Sequence, residues 1–316
     1  MAMAAPTPVS LYTAPDFHAR LKRDWPEEPE QLHSGGWAIT KDLARDCEAR
    51  LVARPIRALD LCCGEGATAA FLAGERGWFV AGVDANDVAV AAALHARARL
   101  PPDAQLRLRF ACESVFYLDR VAGLDPESFD VVYGQDPDAL SAGEHRAGVF
   151  RHAFALLKPG GVLTFHHHWV PGFHWPAEEV EAYERREGLR RITADDYVRD
   201  VEDAGFQVLV ADPISALAAS HLRACHANNL RRAETQGRAV VDRWLADTVS
   251  DMDRGLEFGL RVVAVKLPPL LNLEEFAASR VAAGAAAAAG AGPGPGAGPG
   301  PGAGPGPGRA GSSYNV

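Results

Sequence analysis

The chain lacks any run of about 18 apolar residues, the length a membrane-spanning helix needs, so no span is expected. Its first ten residues, MAMAAPTPVS, carry neither the charged nor the apolar region of a secretory leader, and none is expected there. Dense basic runs are also missing. With a net charge of -9 the chain is a poor match for a partner held mainly through phosphates, and no nucleic-acid partner is expected. The nearest candidate, ERREGLRR at Glu184 to Arg191, is interrupted by glutamates and reads as a solvated helix face. Cysteine is sparse and unpaired in pattern. The five residues Cys47, Cys62, Cys63, Cys112 and Cys225 are odd in number and include no CxxC spacing. That disfavours both a disulfide framework and a zinc site, and points to reduced thiols in a cytoplasmic setting.

What is present is a globular composition: 316 residues of which 47% are apolar, enough to bury a substantial core. Composition divides the chain into three. Residues 1–54 read as an arm and helical cap, 55–270 as an α/β domain with an insertion at about 214–258, and 271–316 as an Ala/Gly/Pro-rich tail that cannot bury apolar surface. Strands are expected at Ile56 to Leu61, Phe79 to Asp84, Leu106 to Cys112, Phe129 to Gly134, Val162 to His167, Phe206 to Ala211 and Leu260 to Leu267. Helices are expected at Ala38 to Leu51, Thr68 to Glu75, Asp87 to Arg99, Glu144 to Leu157, Glu178 to Arg186 and Thr193 to Ala204, with most of Ile214 to Leu245 helical by composition. The alternation implies an α/β, doubly wound, mostly parallel seven-stranded Rossmann-like sheet, with an N-terminal helical cap and a helical insertion before the last strand.

The most informative stretch is ALDLCCGEGATAAFLAGERGWFVAGVDANDVAVAAAL, Ala58 to Leu94. An apolar strand ends in a turn containing Gly64 and Gly66, which let a ligand lie on bare backbone. About 20 residues on, Asp84 ends the next strand, where a carboxylate accepts hydrogen bonds from both ribose hydroxyls. An adenosine-containing ligand fits this layout. Gly64, Gly66 and Ala69 formally satisfy a dinucleotide pattern, but Asp60 and Glu65 would repel a diphosphate and tolerate a cationic sulfonium and ammonium ligand, so charge favours S-adenosylmethionine.

Four segments in order, LDLCCGEGATAAFLA, GVDANDVAV, FDVVYGQDPDAL and LLKPGGVLTF, together resemble the motif series of class I S-adenosylmethionine-dependent methyltransferases over about residues 55–170. Cys62 stands where that family usually has its first glycine. The resemblance implies that Asp60, Cys62, Gly64 and Gly66 hold the methionine end of S-adenosyl-L-methionine, that Asp84 takes the ribose, and that Ala85, Asn86, Glu113 and Ser114 border the adenine. It further implies that Gln135 and Asp136 face the transferable methyl. YGQDPDAL, KPGG and GLEFGLRVVAVKL are most similar to the small-molecule branch that includes sarcosine/dimethylglycine and phosphoethanolamine N-methyltransferases.

After the expected fifth strand comes FHHHWVPGFHW, Phe165 to Trp175, at the carboxyl end where open α/β sheets bind ligands. Three readings stand side by side for His166, His167 and His168: a general base, a metal site shared with His174, or hydrogen-bonded packing. Trp169, Phe173 and Trp175 read either as faces over a cationic amine or as loop packing. Asp136 and one of the three histidines are the candidate catalytic groups, and no metal is assigned. The expected activity is methyl transfer to a small molecule, most readily an amine nitrogen of the glycine, sarcosine or dimethylglycine kind. An O- or C-methyltransferase and a non-catalytic S-adenosylmethionine-binding protein are the alternatives; an oxidoreductase leaves KPGG and GQD without a role.

Overall fold

The computed structural model describes residues 35–52, 54–137, 143–171, 193–213 and 257–268, with isolated positions at 22, 31, 33, 220, 223, 224, 227, 230, 231 and 250. At 143–144, 167–171, 213 and 257–258 it describes the backbone. The expected helix at Glu178 to Arg186, most of the 214–258 insertion, the aromatic residues Phe173 and Trp175, and the tail from 271 lie outside the described residues.

Helix α1 (Gly36–Arg50) precedes the sheet. Alternation then begins: β1 (Arg57–Leu61), α2 (Ala67–Glu75), β2 (Phe79–Asp84), α3 (Asp87–Arg97), a short α4 (Pro102–Leu106) and β3 (Leu108–Cys112). A 3₁₀ helix at Val115–Arg120 leads to β4 (Phe129–Gln135), α5 (Gly143–Leu156) and β5 (Leu157–Pro171). The described chain closes with α6 (Ala194–Asp203), β6 (Gln207–Pro213) and β7 (Glu257–Val265). The seven strands lie in the order β3-β2-β1-β4-β5-β7-β6. β1 to β5 pair in parallel, and β7 runs antiparallel to both β5 and β6. The order reverses between β1 and β4, so the carboxyl ends of those two strands flank the crevice where an open sheet of this kind takes its ligand.

Several boundaries differ from the sequence expectation, and three differences have a clear physical cause. Leu106 ends α4 instead of starting β3, because Pro101 supplies the N-cap and Pro102 the first helical residue. The 3₁₀ turn at Val115–Arg120 carries no 3.6-residue pattern and escaped notice; Ser114 caps it by accepting from Phe116 N at 3.3 Å. β5 is the largest change. It runs through KPGG and on to Pro171, past the His167 at which the strand was expected to end, because β7 pairs with its far end, Val170 to Phe258 and Pro171 to Glu257. That pairing is non-local, and no local pattern announces it. At α6 the sequence signal was sound: Thr193 and Asp196 form a reciprocal capping box.

The sheet is covered on both faces, as a parallel sheet must be. On one face Leu59, Leu61, Val132, Leu163 and Phe165 pack with Phe150 of α5 and Tyr197 of α6. On the other, Ala58, Val80, Val131 and Tyr133 pack with Leu72 of α2 and with Leu43, Ala44 and Cys47 of α1. Helix α1 thus belongs to the core of the second face, and its polar end reaches the ligand edge of the sheet.

Candidate active site

The β1–α2 turn sets the floor of the site. Cys62 and Gly64 adopt left-handed φ values of 58° and 53°, a region that glycine favours and Cys62 enters despite its side chain. Gly66, φ 78°, is the N-cap of α2, and a Cβ there would lie 2.5 Å from the Phe110 ring. The turn is therefore both left-handed and tightly backed by β3, which leaves its inner surface as backbone.

Asp84, at the end of β2, faces this turn. Its Oδ2 accepts from Gly64 N at 2.8 Å and its Oδ1 from Asn86 N at 2.8 Å. Two backbone donors fix the carboxylate, and each oxygen keeps a lone pair for a ligand hydroxyl. Ala85 follows in the strand-to-helix turn; the Sγ of Cys112 lies 3.9 Å from its carbonyl oxygen. Asn86 is buried and caps α3, accepting from Ala89 N at 3.1 Å. Glu113 N donates to Asp84 O at 3.0 Å, and Glu113 Oε1 accepts from Ser114 N at 2.8 Å. The structure thus brings Asp84, Ala85, Asn86, Glu113 and Ser114 together along one rim, while the side chains of Asn86 and Ser114 serve as helix caps.

Asp60 lies beneath the turn, beside Tyr133 of β4. Burial pushes its carboxyl up to about 8; the nearby Asp84 charge adds to this and the Tyr133 hydroxyl opposes it. Its Oδ2 is buried and receives no well-formed hydrogen bond. The same burial raises the Cys63 thiol well above its ordinary value, with Asp60 and Asp84 reinforcing it, so Cys63 is a neutral thiol. Cys47, Cys62, Cys63 and Cys112 form no disulfide among the described residues. Glu65 is paired with Lys22. The charge expected to repel a diphosphate is therefore smaller than the sequence suggests, with Glu65 paired and the Asp60 carboxyl held mostly protonated by burial.

The far side of the crevice is formed by the ends of β4 and β5. Tyr133 and Gln135 share a face by strand parity, and Gln135 turns into the region between α1 and α2. There its Oε1 accepts from Thr68 Oγ1 at 2.7 Å and its Nε2 donates to Thr40 Oγ1 at 3.0 Å. Gln135 is consequently held by protein on both ends of its amide. Asp136 follows with φ 47°, and its N–H donates to His166 O at 3.0 Å. Its Oδ1 lies 3.9 Å from His166 Nε2, with the two side chains 6% and 3% exposed. This is too long for a direct hydrogen bond and suits a bridging proton-bearing group. His33 approaches from the other side, its ring centroid 5.2 Å from that of His166 in an edge-on arrangement. His167 pairs through its backbone with Leu260; the side chains of His167 and His168 lie outside the described residues, so the three readings of the run are addressed at His166 alone. Among the described residues no group of three or more His, Cys, Asp or Glu is arranged to hold a metal ion.

Sequence reading missed Gln31, His33, Thr40 and Thr68. All four are buried, and they join Gln135 in one polar cluster. The sequence places His33 in a helical cap, but a lone His or Thr carries no pattern that assigns it to a site.

The residues fit S-adenosylmethionine. The two left-handed glycines leave backbone exposed to the methionine portion, Asp84 is fixed for two hydroxyls, and the bare Oδ2 of Asp60 suits an ammonium. Comparison with known proteins agrees. The methyltransferase domain family matches residues 59–163. Phosphoethanolamine N-methyltransferase 1 of Triticum aestivum is 27% identical over 182 residues, 57% of this chain and 34% of that protein, so the chain spans about a third of its curated relative. Among solved structures, phosphoethanolamine N-methyltransferase 2 of Haemonchus contortus, complexed with phosphomonomethylethanolamine and S-adenosylhomocysteine, is 18% identical with a TM-score of 0.63, covering 81% of this chain and 58% of that one. A Galdieria sulphuraria protein assigned as a sarcosine dimethylglycine methyltransferase is 15% identical with a TM-score of 0.68, covering 79% of this chain and 98% of that one. Geranyl diphosphate C-methyltransferase of Streptomyces coelicolor shares the fold with a TM-score of 0.56 at 13% identity, covering 72% of this chain and 79% of that one. The glycine turn, the Asp84 carboxylate, the strand order and the family match converge on one conclusion: residues 59–163 form an S-adenosylmethionine-dependent methyltransferase domain.

Proposed function

We propose that the protein methylates the amine nitrogen of a small molecule of the glycine, sarcosine or dimethylglycine kind, using S-adenosyl-L-methionine, in the cytoplasm. The observation that carries this is the buried pair of Asp136 and His166, 3.9 Å apart at the mouth between β4 and β5. When bound, S-adenosylmethionine supplies a methyl carbon activated by a sulfonium. An ammonium acceptor must first lose a proton to expose the attacking lone pair, and a carboxylate beside an imidazole can orient that group and take the proton. The remaining work is alignment, since in-line displacement gains most from holding the reacting atoms close in a dry pocket. Gln135, tied to α1 and α2, and Asp136, tied by its backbone to β5, fix the edge against which the acceptor sits.

Similarity to the Triticum aestivum phosphoethanolamine N-methyltransferase supports the amine reading, and the Haemonchus and Galdieria structures share the fold. The likeness to geranyl diphosphate C-methyltransferase is one of fold, and the described side chains at the mouth, Gln31, His33, Thr40 and Asp136, are polar, which favours an amine over a prenyl acceptor. Label from methyl-labelled S-adenosylmethionine is expected on at least one amine in a panel of glycine, sarcosine, dimethylglycine and phosphoethanolamine. In Asp136→Asn we expect transfer to fall by about 10²-fold or more with S-adenosylhomocysteine affinity retained. Label found only on phenols or prenyl diphosphates would overturn the amine reading.

A further inference from the structure

The cluster of Gln31, His33, Thr40, Thr68 and Gln135 has a definite sense of hydrogen bonding. Gln135 Nε2 can only donate, so Thr40 Oγ1 accepts from it at 3.0 Å. Thr40 Oγ1 also lies 3.1 Å from His33 Nε2, but that nitrogen carries a proton toward Gln31, so the one Thr40 proton is directed to Gln31 Oε1 at 3.2 Å, nearer than Gln135 Oε1 at 3.4 Å. The Thr68 proton goes to Gln135 Oε1 at 2.7 Å, a shorter contact than its 3.4 Å approach to Gln31 Oε1. His33 Nε2 also meets Gln31 Oε1, an acceptor only, so this nitrogen carries a proton. Every described partner of Gln31 therefore lies on its oxygen. Its Nε2, in a residue 1% exposed, has no hydrogen-bond partner among the described residues.

A buried amide nitrogen with two unused protons is a strong demand for an acceptor oxygen. The same amide meets His33 through its oxygen, the His33 ring abuts His166, and His166 faces Asp136. A molecule whose amine lies against Asp136 and His166 would direct its other end toward Gln31. We propose that Gln31 is a specificity-determining residue whose Nε2 donates to the carboxylate of an amino-acid acceptor, so that the substrate class is an amine and a carboxylate on one small molecule. This rests on the methyl-transfer reading above. The charged acceptor oxygen makes the bond stronger than a neutral one, and an acceptor without the carboxylate would leave the amide unpaired and be disfavoured.

The test compares wild type, Gln31→Leu and Gln31→Glu on glycine, sarcosine and dimethylglycine against sarcosine methyl ester and dimethylamine, with calorimetric titration of S-adenosylhomocysteine and methylthioadenosine alongside. In Gln31→Leu we expect KM for the carboxylate-bearing amine to rise about 10- to 100-fold, with the ester and S-adenosylhomocysteine changed by no more than about twofold. Gln31→Glu, which places like charges together, is expected to reject the carboxylate further while still binding S-adenosylhomocysteine, which also shows that the variant is folded. Equal losses on the amino acid and the ester would overturn the proposal, as would a wild type that accepts no carboxylate-bearing amine. A loss of S-adenosylhomocysteine affinity not shared by methylthioadenosine, which has no carboxylate, would move the contact to the cofactor and overturn the acceptor assignment. A wild type that binds no S-adenosylhomocysteine would instead overturn the methyl-transfer reading beneath it.

Discussion

Asp60 carries the most distinctive chemistry of any single residue in the site. Its carboxyl stays protonated in the fold up to about pH 8, whereas in the unfolded chain it ionises near pH 4. Across that window the folded protein binds more protons than the unfolded chain, so the stability this residue contributes is present at low pH and is lost as pH rises toward 8. Asp60→Asn keeps the shape of the neutral acid and removes the titration. Its melting temperature is expected to fall less than that of wild type between about pH 5 and 8, as a thermal unfolding series would show. Parallel slopes would mean that Asp60 is ionised in the fold. If the cofactor ammonium settles on Oδ2, binding at pH 7 should also release protons, detectable by calorimetry in buffers of different ionisation enthalpy. Cys62 offers a second check at this scale. It holds φ 58° without being glycine, and Cys62→Gly is expected to stabilise the fold by up to about 1 kcal/mol in denaturant titration, the relief of left-handed strain partly offset by glycine's extra freedom when unfolded.

Among the elements, the turn between β1 and α2 is bound most tightly to its surroundings. Gly66→Ala would place a methyl 2.5 Å from the Phe110 ring while also keeping φ 78°. The variant is expected to lose about 1–3 kcal/mol of stability and to bind S-adenosylhomocysteine more weakly. Unchanged melting and affinity would show that α3 and β3 yield easily here. This region was also the most legible from sequence, because everything that makes it work is local: an apolar strand, two glycines, an alanine-rich helix and an acid at the next strand end. Gln135 shows the contrary case. Its position at the end of β4 followed from the motif, but its partners Thr40 and Thr68 stand 95 and 67 residues away, and only folding brings them together. The continuation of β5 to Pro171 was hidden for the same reason, since its partner β7 is supplied from beyond the insertion.

For the whole molecule, α1 has a double role. Its apolar side, Leu43, Ala44 and Cys47, packs in the core of one sheet face, and its Thr40 reaches the ligand edge. Helix α1, expected from the sequence as part of a helical cap, is thus tied to the domain at two levels. The opposite end of the chain is expected to contribute little. The Ala/Gly/Pro-rich composition after residue 281 offers little apolar surface to bury, and a chain truncated there should melt and bind cofactor as the full chain does. A drop in melting temperature on truncation would show that the tail packs.

The carboxyl edge of β1 and β2 is expected to hold S-adenosylmethionine with Asp84 on its ribose. Calorimetric titration of S-adenosylhomocysteine into wild type and Asp84→Ala tests it directly. Wild type is expected to bind, and the variant to bind about 10²-fold more weakly or worse, having lost a charged acceptor for two hydroxyls along with the anchor of Gly64 N and Asn86 N. Equal affinity in the two proteins, or no binding by wild type, would contradict it.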